Sequence, residues 1–158
     1  MRFFANMIKF SETGRPVCDP YKWGKTMDNI KYELINAARR VRDNAYAPYS
    51  GFKVGAAVIA EDGNIFTGCN VENASYGLTI CAERNALSSL IASGNRHPVS
   101  IAIIAKDGVL CPPCGACRQV LMEFNPNLEI ILESGGGKFE TYKLNEILPL
   151  SFSATNLS

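Results

Sequence analysis

Apolar residues Ile30, Leu34, Ala37, Ala38, Val41 and Ala45 recur at helical spacing. They predict an amphipathic first helix, with Asp28 as its cap and Pro48 as its end. The run Lys53 to Ala60 (KVGAAVIA) predicts a buried strand, and Glu61-Asp62-Gly63-Asn64 predicts a hairpin turn into a second strand, Ile65 to Asn70. Ile80 to Ala92 follows as a helix that stops near Gly94. Ser100 to Ala105 is an apolar strand. Cys114 to Phe124 is a helix with Val120, Leu121 and Phe124 toward a core, and Leu128 to Leu132 is another strand. Gly135-Gly136-Gly137 turns into a short strand, Lys138 to Tyr142, and a helical turn from Leu144 to Ile147 ends before Pro149. Hairpins beside crossover helices predict an α/β fold: a three-layer α/β/α sandwich around a mixed five-stranded sheet. Residues 1–26 show no clear period and stand apart.

Composition narrows the classes of function. The 158 residues suit one domain. Sixteen Lys+Arg against fifteen Asp+Glu leave +1, which argues against a nucleic-acid binder with its basic face. No stretch approaches the roughly 18 consecutive apolar residues of a membrane span. The first residues lack a long apolar core and a cleavage site of a secretory signal. A cytoplasmic protein with reduced thiols is expected, so the sequons at Asn73 and Asn156 are chance matches. Arg39, Arg40 and Arg42 read as a solvated helix face.

The chain holds six cysteines and one histidine, His97, in a loop. Any metal site must therefore rely on sulfur. Cys114-Gly115-Ala116-Cys117 is a C-x-x-C at a helix start, where residues i and i+3 share a face. A helix N-terminus also favours the thiolate that binds metal. Alone, this motif also fits a redox pair. Pro112 and Pro113 hold Cys111 in an extended segment, which makes it a non-ligand thiol. Cys81 opens another predicted helix 33 residues upstream. Three thiolates would fill three of the four tetrahedral positions of zinc. Cys69 or Cys18 could complete a closed structural site, whereas an open position makes the site catalytic. Glu83, two residues after Cys81, favours the second reading, because it can move protons. The pair C-x-E and P-C-x-x-C, at Cys81-Ala82-Glu83 and Pro113 to Cys117, fits the three-cysteine variant of the zinc deaminase signature.

At these residues the sequence resembles cytidine deaminase of the short-chain, homotetrameric type. The matching segments are Ala47-Pro48-Tyr49-Ser50, Phe52 to Ala57, Gly68 to Tyr76, Cys81 to Arg84, Pro113 to Gln119 and Leu148 to Phe152. The resemblance implies one zinc per subunit on Cys81, Cys114 and Cys117, with Glu83 catalytic and Arg84 donating to the thiolates. It implies that Asn70 and Glu72 hold the ribose 3′-hydroxyl and that Phe52 stacks on the pyrimidine. Phe152 helps close a site. Val71 and Asn73 line the substrate segment, and Ala74, Ser75 and Tyr76 reach a neighbouring subunit's site. The expected reaction is hydrolytic deamination of cytidine and 2′-deoxycytidine in pyrimidine salvage. The expected domain is 27–158, with 1–26 a dispensable extension and Met27 a native start. A closed structural zinc module, a polynucleotide-editing deaminase and a deaminase of nucleotides or nucleoside antibiotics are the rival readings.

Overall fold

The computed structural model describes residues 26–157. Residues 1–25 of the expected extension 1–26, Cys18 among them, lie outside the described residues, and so does Ser158. The first helix, α1 (Met27–Arg42), is capped by Thr26, whose hydroxyl accepts from the Asn29 amide at 3.3 Å. Asp28 is therefore not the cap. It stands inside the first turn, where its charge complements the helix dipole. Nor does α1 run to Pro48. It stops at Arg42, and the Asn44 and Ala45 amides bond three residues back to Val41 and Arg42. The chain then bends so that Tyr46 can pair with Val71 across the molecule, a tertiary bond that overrides local helix preference.

Two strands follow, β1 (Gly55–Ala60) and β2 (Ile65–Cys69), joined by the expected hairpin. A single 3₁₀ turn, Tyr76–Leu78, leads to α2 (Ala82–Ala92). Then come β3 (Pro98–Ile104), α3 (Gly115–Phe124), β4 (Glu129–Gly135), β5 (Lys138–Lys143) and α4 (Leu144–Ile147). The sheet order is β2-β1-β3-β4-β5. Only β3 and β4 run parallel, joined through α3; the other neighbours are antiparallel. The mixed five-stranded sheet thus matches the pattern of the sequence.

Side chains of β1 alternate between two cores, as strand geometry requires. Ala57 and Ile59 meet α1, through Leu34, Ile35 and Ala38, on one face. Ala56, Val58 and Ala60 join Ala86, Leu90 and Leu121 on the other, beneath α2 and α3. Every residue of β1 is buried, because helices cover both its faces. In α3 the inward positions are Cys117, Leu121 and Met122, with Phe124 packed at the margin; Val120 points outward. The phase follows from Cys117, which shares its face with Leu121 one turn on.

The arginines of α1 are not all solvated. Arg39 pairs with the buried Glu133 at 3.0 Å and lies over the Phe139 ring at 5.8 Å. Arg42 bonds Asp107 at 2.7 Å and the Ala105 carbonyl. Arg40 stays exposed.

Two glycines bring helices down onto strand backbone. A Cβ on Gly55 would lie 2.1 Å from the Ala38 carbonyl oxygen of α1. A Cβ on Gly68 would lie 2.3 Å from the Ala86 nitrogen and 2.7 Å from the Ala82 oxygen of α2. These are backbone atoms and cannot rotate aside. Gly68→Ala is expected to lower stability by about 3 kcal/mol, the upper range for overpacking. Its denaturation midpoint in urea measures this, and an unchanged midpoint would show that α2 can lift freely off β2.

Candidate active site

Cys81 and Cys114 are the N-cap residues of α2 and α3, and neither side chain makes a capping bond to its own helix backbone. Both are thus free to face outward from the helix ends. Cys117 lies in the first turn of α3, fully buried. The three sulfurs all lie within 4.8 Å of one another, with Cys81 Sγ 3.9 Å from Cys114 Sγ. Zinc–sulfur bonds of about 2.3 Å in a tetrahedron require sulfurs about 3.8 Å apart. The donor set and its spacing therefore fit zinc. Cys69 and Cys111 stand outside this cluster, so neither closes a fourth position among the described residues. Cys111 is half-buried against the core, and burial pushes its thiol upward.

The thiols are strongly biased in charge. Cys81 is lowered to about 5, by its bond with Cys117 first and by the Arg84 guanidinium beside it. The same bond, with burial, pushes Cys117 upward. A thiolate at Cys81 is thus already favoured by its surroundings. Arg84 Nη2 lies 3.7 Å from Cys81 Sγ and donates to the Thr79 carbonyl at 2.8 Å. This places the guanidinium against the thiolate, as the resemblance implies.

Glu83 is only 5% exposed. Burial raises its carboxyl above the usual range, and the Cys81 charge adds to this. Bonds with its own backbone and with Cys117 act in the opposite sense. A buried carboxyl with a raised pKa, bonded to the Cys117 thiol and close to Cys81, is suited to general acid–base work.

The other expected residues form a second, connected group. The Asn70 side chain is buried and clamps the preceding loop. Its Oδ1 accepts from the Val54 amide at 2.8 Å, and its Nδ2 donates to the Phe52 carbonyl at 2.9 Å. That uses one of two Nδ2 hydrogens. The Phe52 amide donates to Ser50 Oγ at 2.9 Å, and the residue is 44% exposed, so it is not part of the core of this chain. Glu72 accepts from the amides of Tyr49, at 2.8 Å, and Ser50, at 3.2 Å, and from the Ser50 hydroxyl. The Ser50 hydroxyl, followed by these amides, holds its carboxyl below the usual range.

Glu72, Tyr49, Ser50, Tyr76 and Thr79 line a cavity of about 400 Å³, a size typical of small-molecule sites. The Tyr49 and Tyr76 rings meet edge to face across it, 6.1 Å apart. Thr79 joins the two groups, since its carbonyl holds Arg84 and its hydroxyl accepts from the Asn73 amide at 3.2 Å.

Val71 is exposed at the side chain and exchanges two backbone bonds with Ile80. Asn73 Oδ1 accepts from the Ser75 amide at 2.8 Å, and that turn swings Ala74, Ser75 and Tyr76 outward; Tyr76 is 76% exposed. Phe152 lies apart, on the C-terminal arm, 59% exposed as a residue and with its carbonyl held by Gln119. His97 is exposed, as expected, with Nε2 4.0 Å from Glu61. Ser50 and Thr79 were not singled out from the sequence; their roles depend on hydrogen bonds that no local pattern announces.

Comparison with known proteins places this arrangement. The family model described as the cytidine and deoxycytidylate deaminase zinc-binding region matches residues 28–132. A cytidine deaminase of Halalkalibacterium halodurans is 44% identical over 126 residues, covering 79% of this chain and 96% of that protein. One from Mycobacterium tuberculosis is 36% identical over 132 residues, covering 83% and 96%. The crystal structure of cytidine deaminase from Burkholderia pseudomallei superposes with a TM-score of 0.73 at 48% identity, covering 77% of this chain and 98% of that one.

Proposed function

The chain belongs to the cytidine and deoxycytidylate deaminase family of hydrolytic enzymes, and we propose that it converts cytidine and 2′-deoxycytidine to uridine and 2′-deoxyuridine with release of ammonia. The observation that carries this reading is the buried Glu83, bonded to Cys117 of a three-sulfur cluster spaced for zinc. Cys81, Cys114 and Cys117 would hold one zinc per subunit. When bound, zinc supplies the Lewis acidity that makes water a nucleophile near neutral pH. Glu83 accepts the proton of the attacking water and delivers it to N3 of the base. It then carries a proton to the departing amine, so the same carboxyl serves twice. Arg84 and the N-termini of α2 and α3 offset the net negative charge of three thiolates, which otherwise weakens the Lewis acid.

The rest of the site selects the nucleoside. Phe52 offers an exposed ring to stack on the pyrimidine. Glu72 and the remaining Nδ2 hydrogen of Asn70 hold the ribose 3′-hydroxyl. Val71 and Asn73 shape this segment, and Phe152 helps close the site. The exposed Tyr46, Tyr49, Val71, Tyr76, Leu78 and Ile80 form an apolar surface that suits a second copy of the chain. This supports a homotetramer, with Ala74, Ser75 and Tyr76 reaching a neighbouring site. No helix among the described residues is long and apolar enough to cross a membrane. A cytoplasmic enzyme of pyrimidine salvage, with 27–158 as the catalytic unit and 1–26 dispensable, completes the proposal.

The test is deamination of cytidine, 2′-deoxycytidine and their 5′-monophosphates, followed by absorbance, on the full chain and on a chain starting at Met27. Both forms are expected to turn over both nucleosides, and to disfavour the monophosphates by about 100-fold through charge repulsion near Glu72. Equal turnover of the monophosphates would overturn the nucleoside reading, and an inactive but soluble short form would overturn the dispensable extension. Light scattering of the same samples is expected to give four chains; a one-chain mass would remove the tetramer.

A further inference from the structure

We infer that Gln119 is a positioning residue for Phe152, so that the helix carrying two of the zinc-ligand cysteines also sets the aromatic edge of the substrate site. The inference rests on the reading of Phe152 as a ring that helps close that site.

Three consecutive residues of α3 point to three different tasks. Cys117 turns its sulfur inward to the cluster. Arg118 donates from Nη1 to the Ile147 carbonyl, at the end of α4. Gln119 donates from Nε2 to the Phe152 carbonyl at 2.8 Å, across 33 residues of sequence. The two side chains therefore grip the C-terminal arm at both ends of the stretch Leu148–Phe152.

The stretch between those grips is strained. Leu150 has φ 54, the left-handed region, and is the one non-glycine residue with positive φ among the described residues. For an L-residue this conformation is disfavoured, because its Cβ crowds the following carbonyl oxygen. The Leu150 side chain is fully exposed, so burial does not offset that cost. Such a conformation persists only where the surroundings impose it. The bonds from Arg118 and Gln119 flank it, beside the Leu148 amide bond to the Leu144 carbonyl and the packing of Leu148 on the core. Beyond Phe152 the chain is fixed again: the Ser153 amide donates to Asn156 Oδ1 at 2.8 Å, and the Asn156 amide returns to the Ser153 carbonyl at 2.9 Å. The backbone at Phe152 is held on both sides, while its ring remains exposed and available. A bond to a main-chain carbonyl sets where the ring is presented without contacting it. Loss of that bond would leave the chemistry of Glu83 and the sulfurs intact and weaken capture of the nucleoside.

The test uses zinc-loaded protein with cytidine as substrate. Gln119→Leu keeps the bulk and removes the donor. It is expected to raise KM by about 2- to 10-fold, the value of one hydrogen bond, with kcat within about twofold and zinc content unchanged. Phe152→Ala is expected to raise KM at least as far. The double variant is expected to be no worse than Phe152→Ala alone, because the bond acts through the ring. Gln119→Glu, which sets an acceptor against the carbonyl, repeats the test should Gln119→Leu not fold, and the same rise in KM is expected. An unchanged KM for the Gln119 variants beside a raised KM for Phe152→Ala overturns the positioning role. So do effects that add in the double variant. An unchanged KM for Phe152→Ala overturns the reading of Phe152, and the positioning role with it.

Discussion

Glu83→Gln is expected to abolish deamination almost completely while zinc stays bound. The substitution keeps the volume of a side chain that is 5% exposed, so the packing of α2 survives. It removes only the ability to accept and return a proton. A single general acid–base group contributes about 10²- to 10⁴-fold. Glu83 serves both the attack of water and the departure of ammonia, so a loss of about 10⁴-fold in kcat is the expected outcome. Glu83 is not among the three clustered sulfur donors, so zinc per chain should be unchanged. The paired measurement is kcat with metal content by atomic spectroscopy. Near-normal turnover would remove Glu83 from the mechanism, and loss of metal would make it a ligand.

The second large effect is expected at Cys117→Ala. Cys117 is the buried member of the triad and the point where α3 meets the sulfur that caps α2. Two sulfurs remain after the change, too few for a tetrahedral zinc site of high affinity. Zinc content and activity should both fall to background. Zinc binding free energy also stabilises the fold that preorganises its ligands. The melting temperature should therefore lose its dependence on zinc: removal of metal by a chelator lowers it in the native chain and leaves it unchanged in the variant. A variant that retains one zinc per chain would show that Cys117 is not a ligand.

The sulfur cluster was legible in the sequence because each cysteine carries a local mark. Cys81 and Cys114 stand where helices begin, and Cys117 follows at the spacing of one turn. The order of elements was equally legible, since the two-sided burial of β1 leaves a continuous apolar run and α1 leaves a stripe at helical spacing. What failed to show was decided by distant partners. Helix α1 ends at Arg42 because Tyr46 must reach Val71, which no reading of Pro48 could reveal. Asn70 and Glu72 stood out only through resemblance. Their backbone clamps on Phe52, Val54, Tyr49 and Ser50 are properties of the folded chain. Val120 points outward and Met122 inward because the inward sulfur of Cys117, and not hydropathy alone, sets the phase of α3.

The contact at Gly68 ties the geometry of the sulfur cluster to the fold itself. The backbone atoms it meets belong to Ala82, Asn85 and Ala86, which flank Glu83 and Arg84 in the chain. The height of α2 above the sheet is thus set where no side chain intervenes. The distance between the sulfurs of α2 and α3 inherits that height. An engineer who wished to widen the sulfur cage for a larger ion could not do so by exchanging ligands alone. The seat of the helix would have to be rebuilt first, and selection acting on this chain faces the same constraint.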